Sequence, residues 1–129
     1  MPAAAALKVM IVDDQLTMRT LVRNGLKSIG VEEIDEAVDG EDGLRQLLNK
    51  SVNLVISDYN MPKLDGLSLL RAVRAAPQLG KVGFIMLTGR ADTDLVQRAA
   101  QFGVNNYLVK PFTVASLRQK IEEVYGALT

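Results

Sequence analysis

Neither cysteine nor histidine occurs anywhere in this chain. Without cysteine there is no disulfide framework, no thiolate metal site and no thiol nucleophile, a composition that suits a reducing, cytoplasmic setting. Without histidine, Ser-His and Cys-His catalysis, His-ligated zinc and any phosphohistidine on the chain itself are excluded. Net charge is missing too. Fifteen Lys and Arg balance fifteen Asp and Glu, so no long-range field draws the chain toward nucleic acid or an anionic membrane. The opening MPAAAAL has no basic n-region and no apolar run long enough for a signal peptide or membrane span, and residues 1–6 read as a frayed tail. Whatever chemistry the chain performs has to run on carboxylates, hydroxyls, amides and lysine.

What is present is ordinary for a folded domain. With 129 residues, 48% hydrophobic and 23% charged, the chain can bury one core unaided, and residues 1–129 are expected to form a single domain. Five short apolar runs recur: Val9–Val12, Ile34–Ala37, Leu54–Ile56, Phe84–Leu87 and Tyr107–Val109. The first, third and fourth are continuously apolar rather than alternating, as strands covered on both faces are. The second is weaker and is expected nearer a sheet edge. Between the runs lie segments of helical spacing, such as Met18, Leu21, Val22, Leu26 and Ile29 ahead of Gly30. Gly30, Gly103 and Gly126 stand as helix stops, and Asp39, Asp65, Asp92 and Thr113 as N-caps. The order is βα five times over, which predicts an α/β fold: a (βα)5 doubly wound, parallel five-stranded sheet with helices on both faces.

Ligands of open parallel sheets bind beyond the carboxyl ends of the strands. There the sequence places Asp13-Asp14 after the first run, Ser57-Asp58 after the third, Thr88-Gly89 after the fourth and Lys110-Pro111 after the fifth. Three converging carboxylates repel one another unless a cation shares the site. Mg2+ fits, since it takes one or two carboxylates and keeps positions open for phosphoryl oxygens. Asp58 then stands as a nucleophile toward phosphorus, Asp13 and Asp14 as metal ligands, and Thr88 and Lys110 as partners of the equatorial oxygens. Singly, each residue has a plainer explanation: a strand-end Asp is more often a cap, Thr88 a cap, Lys110 a surface lysine, and Tyr107 a packed ring with a wet hydroxyl. The case rests on four strands delivering compatible chemistry to one edge.

Val12-Asp13-Asp14, Thr17-Met18-Arg19, Val22-Arg23-Asn24, Ser57-Asp58-Tyr59-Asn60-Met61-Pro62, Leu64-Asp65-Gly66-Leu67 and Val109-Lys110-Pro111-Phe112-Thr113 follow in order. In these segments, which span nearly the whole chain, it resembles the response-regulator receiver family, and in particular its single-domain chemotaxis members. The resemblance implies a flavodoxin-like fold and Asp58 as phosphoacceptor. It further implies Asp13, Asp14, Asp58 and the Asn60 main-chain carbonyl around Mg2+, and Thr88 with Tyr107 as a switch pair. Lys110 would pair with the phosphoryl group across a cis Lys110-Pro111 bond, and Gly66 would serve the turn after the phosphorylation loop. The implied partners are a histidine kinase as phosphodonor and, through the face of the fourth helix, fifth strand and fifth helix, a flagellar motor switch protein or a phosphotransfer protein. A monomer is expected, with no nucleic-acid partner and no membrane insertion.

On that face Gln97, Gln101, Asn105, Asn106, Ser116 and Gln119 read as polar rather than charged. Asn60 and Arg90 each lie two residues past a strand-end group and are expected to flank the cleft and tune phosphate loss. Arg90 is basic where the family member compared has an acid, which predicts slower autodephosphorylation than an acidic residue would give. Other functions fit less well. A phosphorelay intermediate or phosphate sink shares the same site. An Asp-nucleophile phosphatase would carry DxD after the first strand, where this chain has Asp13-Asp14-Gln15. A dinucleotide site lacks its glycine-rich turn. The protein is expected to be a self-phosphorylating switch rather than an enzyme with turnover.

Overall fold

A computed structural model describes residues 3–89 and 93–129. Five strands, β1 (Lys8–Val12), β2 (Glu33–Ala37), β3 (Leu54–Asp58), β4 (Gly83–Thr88) and β5 (Asn106–Val109), pair in parallel in the order β2-β1-β3-β4-β5. They alternate with α1 (Leu16–Ile29), α2 (Gly40–Leu47), α3 (Gly66–Ala75), α4 (Thr93–Gln101) and α5 (Val114–Tyr125). The continuous apolar runs have the physical cause expected of them. Alternate residues of each strand point to opposite faces, and both faces are covered. Val9, Ile11, Leu54, Ile56, Ile85 and Leu87 pack with Val22 and Leu26 of α1 and Leu117 and Ile121 of α5. Met10, Val12, Val55, Phe84 and Met86 pack on the other side with Leu47, Leu70, Val73 and Ala99 of α2, α3 and α4. Each such side chain contributes about 1.5–3 kcal/mol through burial. β2, the weak run, is an edge strand with only Ala37 fully buried.

The punctuation also follows local chemistry. Asp39 accepts from the Asp42 N–H and Asp65 from the Ser68 N–H, both at 2.8 Å. Thr113 and Ser116 form a reciprocal capping box. Gly30 closes α1 in the left-handed region at φ 111°, its N–H donating to the carbonyls of Leu26 and Lys27. Asp92 lies outside the described residues.

Two expectations are corrected. Residues 4–6 are not a frayed tail: they form a 3-10 turn, Ala4 is 2% exposed, and its N–H donates to the Thr129 carbonyl at 3.0 Å. An alanine is small enough to fit beneath the end of α1, close to Gly30, so the apolar opening of the chain packs instead of waving. Leu21 was expected on the inner stripe of α1 and is 52% exposed, because Val22 and Leu26 already fill that side of the helix.

At the amino-terminal end of the sheet, Arg74 at the end of α3 fastens three segments. Its guanidinium donates to the carbonyls of Gly103 and Val82, with Nη1 to Val82 at 2.6 Å, and to Asn105 Oδ1. Asn105 Oδ1 also receives the Phe84 N–H at 2.8 Å.

Candidate functional site

The strand order turns back between β1 and β3: the chain runs outward from β1 to β2, then crosses to the other side of β1. A crevice opens at such a reversal, outside the carboxyl ends of the strands. Parallel pairing brings Val12 level with Ser57, Asp58 with Leu87, and Thr88 with Val109. The residues that follow or end these strands therefore share one rim.

Asp13, Asp14 and Asp58 offer carboxylate oxygens that all lie within 4.8 Å of one another. Lys110 Nζ stands 2.9 Å from Asp58 Oδ1. Asp13, Asp58 and Thr88 are buried, while Asp14 is exposed at the mouth. The loop after β3 is pinned by backbone bonds, Tyr59 N–H to Leu87 O at 3.1 Å and Gly66 N–H to Tyr59 O at 2.8 Å. The peptide preceding Pro111 is cis, and the Lys110 N–H donates to the Thr88 carbonyl at 2.7 Å.

Asp13 is the most constrained member. Its N–H donates to Ala37 O, its carbonyl accepts from Arg19 Nη1, and its Oδ1 accepts from the Gln15 N–H. Oδ2 is buried and has no hydrogen-bond partner among the described residues. Burial pushes the Asp13 carboxyl above its ordinary value of 3.8, and the neighbouring Asp58 and Asp14 charges push the same way, against the Gln15 N–H and Lys110. An orphaned carboxylate oxygen on a residue clustered with two further carboxylates makes a donor set for a hard divalent cation such as Mg2+. The residues present fit that ion.

A stability prediction arises here. Because the Asp13 carboxyl holds its proton more tightly folded than unfolded, the stability it lends is full below about pH 3.8 and is lost as pH rises through its higher folded value. At neutral pH the anion is a liability in the metal-free protein. Asp13→Asn is expected to raise the melting temperature in chelator by about 4 °C, the shift that about 1 kcal/mol produces in a domain near this size. Excess Mg2+ should erase the advantage, because it stabilises only the form that binds it. Thermal melts with and without Mg2+ decide the point, and a destabilised variant in chelator would refute it.

Thr88 and Tyr107 border the same space. Together with Met86, Leu95, Val96, Ala99 and Val104 they line one small apolar cavity. Tyr107 is half-buried, and Lys120 Nζ lies 4.9 Å from its ring centroid. Asn60 is exposed, two residues past Asp58. Arg90 lies outside the described residues.

The polar rather than charged character expected for the face of α4, β5 and α5 is corrected. Lys120 covers Tyr107 and lies 3.8 Å from Glu123, which accepts from Asn106 Nδ2 at 2.7 Å. Asn105 is engaged by Arg74 and Phe84 at the opposite end of β5, and Ser116 is spent on the capping box. Glu36, and Arg19 beyond its place in the Thr17-Met18-Arg19 segment, had no role assigned from the sequence. The i, i+4 spacing of Arg19 and Arg23 on α1, set against one acid in an edge strand, was the available signal.

A family profile described as the response regulator receiver domain matches residues 9–122. The chain is 49% identical over 128 residues to a probable chemotaxis protein CheY of Rhizobium etli, covering 99% of each chain. Among solved structures it is similar to the Vibrio cholerae chemotaxis protein CheY4, with TM-score 0.86 and 31% identity over 92% of this chain and 98% of that one. It is also similar to the receiver domain of the sensor histidine kinase PA1611 from Pseudomonas aeruginosa, a structure with magnesium coordinated in the active site cleft. There the TM-score is 0.84 at 28% identity, over 94% of this chain and 98% of that one.

Proposed function

This chain belongs to the response-regulator receiver family, and from that footing we propose that it is a stand-alone chemotaxis regulator switched by phosphorylation of Asp58. One observation carries the assignment of Asp58: a buried carboxylate at the end of a central strand, 2.9 Å from the Lys110 ammonium and within 4.8 Å of two more carboxylates. The related chains named as chemotaxis proteins support the pathway.

The chemistry asks for alignment and charge neutralisation. Asp58 attacks the phosphorus of a phosphohistidine on a kinase; the P–N bond breaks, a P–O bond to Asp58 forms, and the imidazole keeps the electron pair and takes a proton. Lys110 moves from the Asp58 carboxylate to a phosphoryl oxygen, and Thr88 donates to another. Asp13, Asp14, Asp58 and the Asn60 carbonyl would hold Mg2+, which would neutralise charge on the carboxylates and the phosphoryl group. Borohydride reduction of the protein after treatment with a small acyl phosphate and Mg2+, followed by peptide mass mapping, tests the site. Modification at 58 supports the assignment, and modification elsewhere overturns it.

Readout is assigned to Thr88 and Tyr107. A Thr88 hydroxyl drawn to the phosphoryl group leaves room in the apolar cavity it shares with Tyr107, and the ring moves inward, changing the face made by α4, β5 and α5. Thr88→Ala is expected to accept phosphate at a rate within about tenfold of wild type, about 1.4 kcal/mol. It should lose the phosphorylation-dependent rise in affinity for the protein that the phosphorylated wild type captures. Surface plasmon resonance with that partner checks it, and an undiminished rise would take Thr88 out of the switch. In this proposal the donor is a histidine kinase and the switch operates in the cytoplasm. Among the described residues no helix is long and apolar enough to cross a membrane.

A further inference from the structure

Behind the carboxylate cluster, on the side away from Lys110, α1 and β2 meet through three charged side chains. Arg19 Nε lies 3.0 Å from Glu36 Oε1, and Arg23 Nε lies 2.6 Å from Glu36 Oε2. Glu36 thus spends one oxygen on each guanidinium. Arg23 is held further by Ile34 O at 3.2 Å. Arg19 does something different: its Nη1 reaches over the end of β1 and donates to the carbonyl of Asp13 at 2.8 Å. The Arg19 side chain is only 12% exposed, so this contact is shielded from competing water.

The consequence falls on one atom. Asp13 has four hydrogen-bonding groups. Its N–H is fixed by Ala37 O of β2, its Oδ1 by the Gln15 N–H and its carbonyl by Arg19, which leaves Oδ2 alone without a partner among the described residues. We propose that Arg19, anchored by Glu36, is a positioning residue for the cation site, locking the Asp13 peptide so that Oδ2 is presented to a divalent ion. The proposal rests on the assignment of Asp13 and Asp14 as cation ligands. A planar guanidinium suits the task, because its fork can hold a carboxylate with one edge and a carbonyl with another in fixed relative geometry, which an ammonium cannot. Partners one shell out from a metal commonly govern its affinity in this way.

Mg2+ binding to the full chain, followed by titration calorimetry without any phosphodonor, tests the idea. Asp14→Asn serves as the reference for loss of a ligand. Arg19→Ala is expected to weaken Mg2+ binding roughly tenfold, and Glu36→Gln in the same direction by several-fold. The double variant should be no weaker than Arg19→Ala, since the two act as one unit. Arg23→Ala also breaks an ion pair with Glu36 but leaves the Arg19 bond to Asp13, so it should bind Mg2+ within about twofold of wild type. A merely structural role would instead make Arg19→Ala and Arg23→Ala alike. Arg19→Lys should remain weakened, and full recovery by lysine would replace positioning with simple charge and overturn the proposal.

The outcomes separate cleanly. If Asp14→Asn binds Mg2+ as wild type does, the cation ligands are misassigned and the proposal falls with them. If Asp14→Asn loses affinity while Arg19→Ala stays within about twofold of wild type, only the positioning role falls. Should Arg19→Ala fail to give a folded circular dichroism spectrum, Glu36→Gln carries the decision, and wild-type affinity in that variant overturns the proposal.

Discussion

Asp58→Asn is expected to abolish phosphorylation by small acyl phosphates, lowering the rate at least about a thousandfold, or about 4 kcal/mol in barrier. An amide of nearly the same shape keeps the packing but has no anionic oxygen to attack phosphorus. It also has no charge for Lys110, now 2.9 Å away, to exchange for a phosphoryl oxygen. The fold should be almost indifferent. The lost Asp58–Lys110 attraction is offset by relief of repulsion among three carboxylates within 4.8 Å, and Asp13, already pushed upward by burial and by Asp58, gains from the change. Intact-protein mass spectrometry after incubation with phosphodonor and Mg2+ reads the result, alongside a thermal melt. A variant labelled as fully as wild type would move the phosphoacceptor to another residue.

The second large effect is expected at Gly66, where the site and the fold share a boundary. Gly66 opens α3, and a Cβ there would lie 2.3 Å from the Asp58 carbonyl oxygen, 2.8 Å from Met86 Sδ and 2.9 Å from Tyr59 Cα. Two of those atoms are backbone and cannot swing aside. The glycine is therefore required by close approach, not by a left-handed turn. Gly66→Ala is expected to cost about 3 kcal/mol of stability, the upper part of the range for overpacking. Because relief has to come from moving the Asp58 and Tyr59 backbone, the phosphorylation rate of the folded fraction should fall as well, by roughly tenfold or more. Urea titration and a labelling time course measure the two effects separately. Stability within about 0.5 kcal/mol of wild type would show that the helix start yields more easily than its contacts suggest.

Much of this architecture was legible beforehand because it is written in local chemistry. Continuous apolar runs state that both faces of β1, β3 and β4 are covered, and Asp39, Asp65 and Thr113 state where helices begin. The strand-end residues Asp13, Asp14, Asp58 and Lys110 could be gathered because parallel strands deliver their carboxyl ends to one rim. What stayed hidden depended on contacts distant in sequence. Nothing local distinguishes Asn105 from the exposed amides around it, yet it is bound to Arg74 and to the Phe84 N–H. Ala4 looks like part of a small-residue tail until the Thr129 carbonyl is seen to receive its N–H. Leu21 and Val22 adjoin on one helix, and only the packing of α1 on the sheet decides which is covered.

The clasp made by Arg74 gives the molecule a mechanical polarity. The segment leaving α4 is tethered at Gly103 and Asn105 to α3 and β4, and Arg71 lies over the Phe102 ring with 4.7 Å between guanidinium carbon and centroid. Leu95 near the other end of α4 borders Thr88 and the cavity beside Tyr107. α4 is accordingly moored at the amino-terminal end of the sheet. A push delivered beside the carboxylates would therefore displace it most next to the rim and least where it is moored.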